Sequence, residues 1–229
     1  MILRKRAEEI LDLVKKARHE ITSPDDAVMR DVYIGAGETD AMRLLAQTAG
    51  VLKKRYPGIH YHISSGNAIY VREQLDKGLI DFGIVFGAPD PAVYESVRFP
   101  SKDVWGILMP KDSPLAEKET ISPEDLADKP LLLSQQETAG GMLSRWMKRS
   151  LSGLDIVMTY NLLFNASLFV EEGLGYALCI DHIIRTSGDS RLCFRPLAPA
   201  VELELYMIWK KYQVFSKPAE AFLTAIREQ

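Results

Sequence analysis

Cysteine is scarce in this chain of 229 residues: Cys179 and Cys193 are the only two. They stand in no C-x-x-C and in no metal-ligand spacing, and both fall in apolar, strand-like stretches, so they are read as buried, reduced thiols. A basic excess is also missing. Lys and Arg number 28 against 31 Asp and Glu, a net charge of −3, which is not the balance of a stand-alone phosphate-neutralising DNA binder. No run approaches the ~20 apolar residues that span a bilayer. The start has neither a continuous apolar h-region nor a small-residue cleavage site. A cytoplasmic protein with no membrane partner is expected.

The usual catalytic signatures are lacking as well. Gly35 and Gly37 have no third glycine to complete a dinucleotide fingerprint, and no P-loop or G-x-S-x-G elbow occurs. Four histidines are present. His60 and His62 alternate along one strand and so face the same way, which makes a metal pair conceivable, but no third ligand follows at a motif spacing. His19 and His182 have no evident partner. Neither an enzyme, nor a metal, nor a cofactor is expected.

What is present is the material of an ordinary folded domain: 47% hydrophobic and 26% charged residues, enough for a real core. The first 22 residues stand apart. Leu3, Ala7, Ile10, Val14, Ala17 and Ile21 recur at spacings of 4, 3, 4, 3 and 4, a heptad seam that Leu11 and Leu13 widen. Such a stripe needs a partner, either a second copy or the chain's own domain. Pro24 then ends the helix.

From Asp31 the pattern alternates. Strands are expected from Val32, over 59–64 and over 81–86, with helices over 40–56 and 68–77 between them. This is a β-α-β-α-β order, which implies a parallel sheet with right-handed crossovers. A further series follows: strands over 104–109, 131–134, 155–160, 176–180 and 203–209, and helices over 139–151, 165–172 and from Ser216. Gly78, and likewise Gly173 and Gly175, are read as helix-ending glycines, with Asp81 fixing the turn into its strand. Ser122 and Ser216, each closely followed by proline, are read as helix N-caps.

Three segments carry a resemblance. GNAIYVREQLDKGLIDFGIV from Gly66 is similar to the run G-x(8)-L-x-x-G-x-L-D-x-A/G-I of the LysR-type transcriptional regulators, with Ile80 where leucine is usual. VEEGLGYAL from Val170 resembles that family's V-x-x-G-x-G-I/Y-A/T-L signature. LYMIWKK from Leu205 and FSKPAEAFL from Phe215 resemble its returning strand and closing helix, and the N-terminal heptads resemble its linker helix. Together these cover about 200 residues in the family's order.

The resemblance implies an α/β fold of the type 2 periplasmic-binding-protein kind. Residues 1–23 would be a linker or dimerisation helix, 30–109 plus 207–229 lobe I, and 110–206 lobe II, with an effector in the cleft between lobes. It further implies a small-molecule effector domain acting as a homodimer or homotetramer, in which ligand closure shifts the oligomer's geometry. The family's winged helix-turn-helix is not found in these residues, so DNA is expected as a partner only through such a head N-terminal to Met1. A cytoplasmic or export-signal-less solute-binding protein of the same fold is the alternative.

Parallel sheets bind ligands beyond the carboxyl ends of their strands. That rule selects Glu38, Thr39, Ser65, Gly66, Phe86, Ser134, Asn161, Phe164 and Asn165 as ligand-binding candidates. N-capping is the alternative role for Thr39, Ser65, Ser134 and Asn165, and core packing for Phe86 and Phe164. Glu38 and Asp40 would compete with an anionic ligand at a helix N-terminus, so a simple dianion is not expected. Dimerisation is assigned to Leu3, Ile10 and Val14 on the first helix, and to Met42, Leu45, Ala49 and Leu52, which antiparallel pairing in the family would expose to the partner's second lobe.

Overall fold

A computed structural model describes residues 2–21, 31–135, 141–148 and 150–228. The expected turn at Thr22 to Asp26, Gln136 beside Ser134, and the first two residues of the helix expected over 139–151 lie outside the described residues. The chain divides into two compact units. Unit 1 comprises 1–37, 41–101 and 204–229; unit 2 comprises 38–40 and 102–203.

Unit 1 starts with α1 (Ile2–Ile21). Its sheet has the order β2-β1-β3-β9, formed by β1 (Asp31–Ala36), β2 (His60–Ser65), β3 (Phe82–Phe86) and the returning strand β9 (Glu202–Lys210). β1 runs parallel to β2, with Asp31 opposite His60, and parallel to β3; β9 is antiparallel to β3. The helices are α2 (Met42–Arg55), α3 (Ala68–Asp76) and α6 (Lys217–Arg227).

Alternation along β3 explains how both faces are covered. Phe82 and Ile84 enter one core with Val32 and Ile34 of β1, Leu45 and Leu52 of α2, and Phe222 of α6. Val85 points the other way and packs with Val71 and Leu75 of α3. Phe82 is fully buried and stacks on Phe215 at 5.1 Å. Asp81 does more than turn the chain. Its Oδ2 accepts from Tyr33 N at 2.9 Å, and its own N–H donates to Tyr33 O at 2.8 Å. One buried carboxylate thus ties the start of β3 to β1.

Unit 2 holds the sheet β4-β7-β5-β6, with β8 also paired to β4. Its strands are β4 (Tyr94–Pro110), whose residues up to Ser101 belong to unit 1, β5 (Leu131–Ser134), β6 (Ile156–Tyr160), β7 (Tyr176–Ile180) and β8 (Leu192–Pro196). β5 is parallel to β6 and β7, while β4 is antiparallel to β7 and β8. α4 (Met142–Met147) and α5 (Leu163–Glu171) are its α-helices. A 3-10 turn over Pro123–Leu126 is opened by a reciprocal Ser122–Asp125 capping box. Leu163, Ala166 and Val170 of α5 pack with Leu108, Leu132, Ala177 and Cys179.

Four expectations need correction. The chain passes between the units at Ser101/Lys102 and Leu203/Glu204, not at 109/110 and 206/207; both passages fall inside strands, β4 and β9. β4 begins ten residues earlier than expected, at Tyr94. Its first half alternates Tyr94 and Phe99, which are buried, with exposed charge, and so shows no continuous apolar run. β8, only five residues long, is given no bounds by the sequence, although the stretch around Cys193 is read as strand-like. Finally, Gly173 has φ +81, but Gly175 does not share that conformation: a Cβ there would lie 2.4 Å from Pro130 O. It is glycine because two backbones approach.

Candidate functional site

The strand-end rule gathers two sets of residues, one in each unit. In unit 1, Ser65 closes β2 and is exposed. Gly66 N donates to Ala36 O at 2.9 Å, and the Tyr70 ring lies over its Cα. Phe86 closes β3 and packs partly against the unit 1 core. Ser65 does not cap α3. That role falls to Asn67, missed in the sequence, whose side chain accepts from Tyr70 N at 2.8 Å.

The unit 2 set is more heavily charged. Glu38 belongs to a short segment, Glu38–Asp40, that is part of unit 2 although its chain neighbours belong to unit 1. Glu38 Oε2 accepts from Leu163 N at 2.5 Å. The carboxylate therefore sits at the N-terminus of α5, not of the helix that follows it in sequence. There it takes an N–H that the helix itself leaves unpaired. Leu162 occupies the N-cap position of α5 and supplies no side-chain bond, which leaves the place to Glu38.

Thr39 is buried, and its hydroxyl donates to Asp103 Oδ2 at 2.6 Å. It is no N-cap: Ala41 stands at that position of α2. Asp103 was not singled out from the sequence, although an acid inside KDVWGILMP is the kind of local conflict that marks a site. Burial pushes its carboxyl above the ordinary range. The Thr39 hydrogen bond works against that, Asp40 adds to it, His182 opposes and Asp181 adds. Asp181 follows β7 directly and accepts from His182 N at 2.6 Å, while His182 has φ +64, a left-handed conformation unusual for a residue with a Cβ. His182 therefore does have a partner in Asp181.

The remaining candidates of unit 2 also lie at strand ends. Ser134 closes β5 opposite Tyr160 and is half-buried. Asn161, Phe164 and Asn165 are exposed around the start of α5. Phe164 keeps 62% of its surface in solvent, so it is not core. Asn165 lies inside the helix and does not cap it. A recess of about 470 Å³ elsewhere in unit 2 is lined by Lys111, Glu172, Arg191 and their neighbours, and takes in none of these residues.

His62 is engaged by residues other than His60. Its ring stacks on Tyr33 at 4.5 Å, and its Nε2 lies 3.0 Å from Asp31 Oδ1. Among the described residues no three His, Cys, Asp or Glu side chains form a metal-binding group. Cys179 and Cys193 are both buried and free, and burial raises both thiols.

The dimerisation set splits. Leu3, Ile10 and Val14 are exposed along α1, at 86%, 59% and 48%; the side chains of Ala17 and Ile21 lie outside the described residues. Leu45 and Leu52 are buried in the unit 1 core, with Met42 and Ala49 packed beside them. The expectation that this stripe faces a neighbour is corrected: the apolar face of α2 covers its own sheet. Arg43, Gln47 and Val51 point outward instead.

Residues 27–229 match the model of the LysR substrate binding domain, and the chain belongs to that family. It is 24% identical, over 98% of its own length and 73% of the relative's, to the HTH-type transcriptional regulator YfeR of Shigella flexneri. Its fold is similar to the effector-binding domain of QuiR in complex with shikimate, at TM-score 0.74 and 14% identity, over 88% of this chain and 97% of that one. The regulatory domain of CcmR from Synechocystis PCC6803, in complex with 2-PG, matches at TM-score 0.73 and 16% identity, over 87% and 97%. The architecture is thus the mixed α/β, periplasmic-binding-protein-like fold of LysR effector-binding domains, and the chain is such a domain. Family members are transcriptional regulators. No helix among the described residues is long and apolar enough to cross a membrane.

Proposed function

We propose that this domain senses a small molecule carrying a cationic or neutral polar group, and that unit 2 receives that group beside Glu38, Thr39 and Asp103. The observation that carries the reading is the Glu38 carboxylate on Leu163 N. A helix N-terminus is a ready place for an effector's carboxylate, and here the chain's own acid holds it. Asp40, Asp103 and Asp181 add negative charge nearby. A dianion entering this end would meet repulsion rather than a dipole. Ser134, Asn161, Phe164 and Asn165 in unit 2, and Ser65, Gly66 and Phe86 in unit 1, are the further contact candidates.

The domain catalyses nothing in this reading: it converts occupancy into a population shift. It works as a homodimer or homotetramer in the cytoplasm, and reaches DNA through a winged helix-turn-helix in the full-length regulator. The QuiR and CcmR domains, held with shikimate and with 2-PG, support a small-molecule effector. The exposed seam of α1 supports self-association.

Isothermal titration of the wild type and of Glu38→Gln against amines, amino acids and dicarboxylates tests the ligand class. Amines or amino acids should bind the wild type, and Glu38→Gln should shift preference toward carboxylates. Tight dicarboxylate binding to the wild type, unchanged in Glu38→Gln, sinks the reading. Light scattering should return a dimer or larger at micromolar concentration; a monomer overturns the oligomer and favours the solute-binding alternative.

A further inference from the structure

Among the described side chains of α1, Glu9 and Leu13 meet the end of α3, and the ions of that contact are doubly provided for. Glu9 Oε1 lies 3.0 Å from Lys77 Nζ, just beyond the C-terminal end of α3, with only 14% and 24% of the two side chains exposed. One turn further along α1, Leu13 lies over Gly78; a Cβ placed on that glycine would be 3.9 Å from Leu13 Cδ2. Glu9 and Leu13, four apart, share a face of the helix. Ile10 lies about 100° round from Glu9 but only about 60° from Leu13, and Val14 about 100° from Leu13; both stay exposed. Glu9 thus stands off the heptad seam, while Leu13, which widens that seam, borders both.

Each ion also has a second partner on its own helix. Arg6 Nη1 is 2.8 Å from Glu9 Oε2, and Glu73 Oε2 is 3.9 Å from Lys77 Nζ. Lifting α1 away would leave Glu9 with Arg6 and Lys77 with Glu73, so no unpaired charge is left behind. The usual large penalty for breaking a half-buried ion pair is the stranding of one partner, and that penalty is absent here.

We propose that the Glu9–Lys77 pair, with Leu13 over Gly78, is a reversible latch by which α3 sets whether α1 is docked on unit 1 or released. α3 begins next to Ser65 and Gly66, among the candidate effector contacts, and ends beside Lys77. A displacement of this short helix at its first turn is thereby delivered to α1. The regulatory meaning rests on the effector reading above; the latch itself does not. The Lys77 hydrogen bond holds the Glu9 carboxyl below its ordinary range, in keeping with an ionised pair at neutral pH.

Amide hydrogen exchange over residues 4–14 of the whole chain, with no effector added, tests it. Glu9→Gln and Lys77→Gln should each speed exchange there by about two- to fivefold, the range of a partly exposed ion pair. Glu73→Gln removes the partner that Lys77 keeps after release, so it should slow exchange over the same residues. A helix merely stabilised by surface charge would not give opposite signs. Unchanged melting of each variant excludes unfolding as the cause. Exchange unaltered in Lys77→Gln, or accelerated in Glu73→Gln, overturns the latch. Because no ligand enters the experiment, such a failure leaves the calorimetric test of effector class standing, and the reverse also holds.

Discussion

The Thr39 hydroxyl reaches Asp103 Oδ2 at 2.6 Å, although 64 residues separate them. This bond and the Glu38 contact with Leu163 N fasten a short stretch of chain onto unit 2. Both bonds are made by residues that follow β1, whose own strand belongs to unit 1. These two contacts therefore join side chains that sequence order keeps far apart.

Asp103 gives stability a particular pH dependence. Its folded carboxyl is raised by burial, so the folded chain keeps a proton that the unfolded chain has already released. Stability then falls as pH rises from the ordinary carboxylate range through the raised folded value, and the loss persists above it. Asp103→Asn keeps an acceptor for Thr39 and removes the buried charge. Thermal melting from pH 4 to 8 should show a flatter profile, with a midpoint roughly 2 °C higher at neutral pH. A lower midpoint at neutral pH refutes this account.

Leu45 has 2% of its surface exposed. Leu45→Ala should destabilise the chain by about 2–5 kcal/mol in urea unfolding, and Leu45→Glu should fail to fold rather than yield a folded monomer. Val51, 63% exposed on the same helix, should accept Glu with a stability change within about 0.5 kcal/mol. Val51→Glu is thus the variant that reports on an α2 interface by light scattering.

Gly173 and Gly175 separate two kinds of glycine requirement. Alanine at Gly173 meets no atom within 4 Å but must take φ +81, a strain of about 1–2 kcal/mol. Alanine at Gly175 would press its Cβ against Pro130 O, a backbone atom that also accepts from Tyr176 N at 2.9 Å. Guanidinium unfolding should rank Gly175→Ala as the more destabilising. The opposite order would mean that β5 and β7 part easily here.

The cysteines should be silent in the native state. Burial raises the Cys179 thiol, and the carboxylates of Asp181 and Glu38 act in the same direction; Cys193 is raised by burial too. Since the thiolate is the reactive form, an aromatic disulfide reagent at pH 8 should label neither thiol in the folded chain and both after guanidinium denaturation. Rapid native labelling of either one contradicts this.

Much of the fold was legible locally. Apolar strands such as FGIVF of β3, and helices punctuated by Gly78 or opened by Ser216 and Pro218, are written in short stretches where periodicity and capping chemistry act between near neighbours. The first half of β4 was not, because its backbone partners come from distant sequence and its exposed face carries charge. The face of α2 was read as an apolar stripe correctly, but which body it covers is not a property of the stripe.

The same division holds for the site. Sequence alone nominated Glu38, Thr39 and the other strand-end residues as candidates, since a strand followed by a helix fixes where side chains of the intervening loop emerge. It also supplied the seam of α1 and the family resemblance. Tertiary structure decided which helix N-terminus Glu38 holds, that Asp103 is the partner of Thr39, and that Glu9 finds Lys77 across 68 residues of chain. Hydrogen bonds and ion pairs of this kind depend on distance in space, to which a one-dimensional pattern is blind, while helix and strand periodicity depends on distance along the chain, which the sequence states outright.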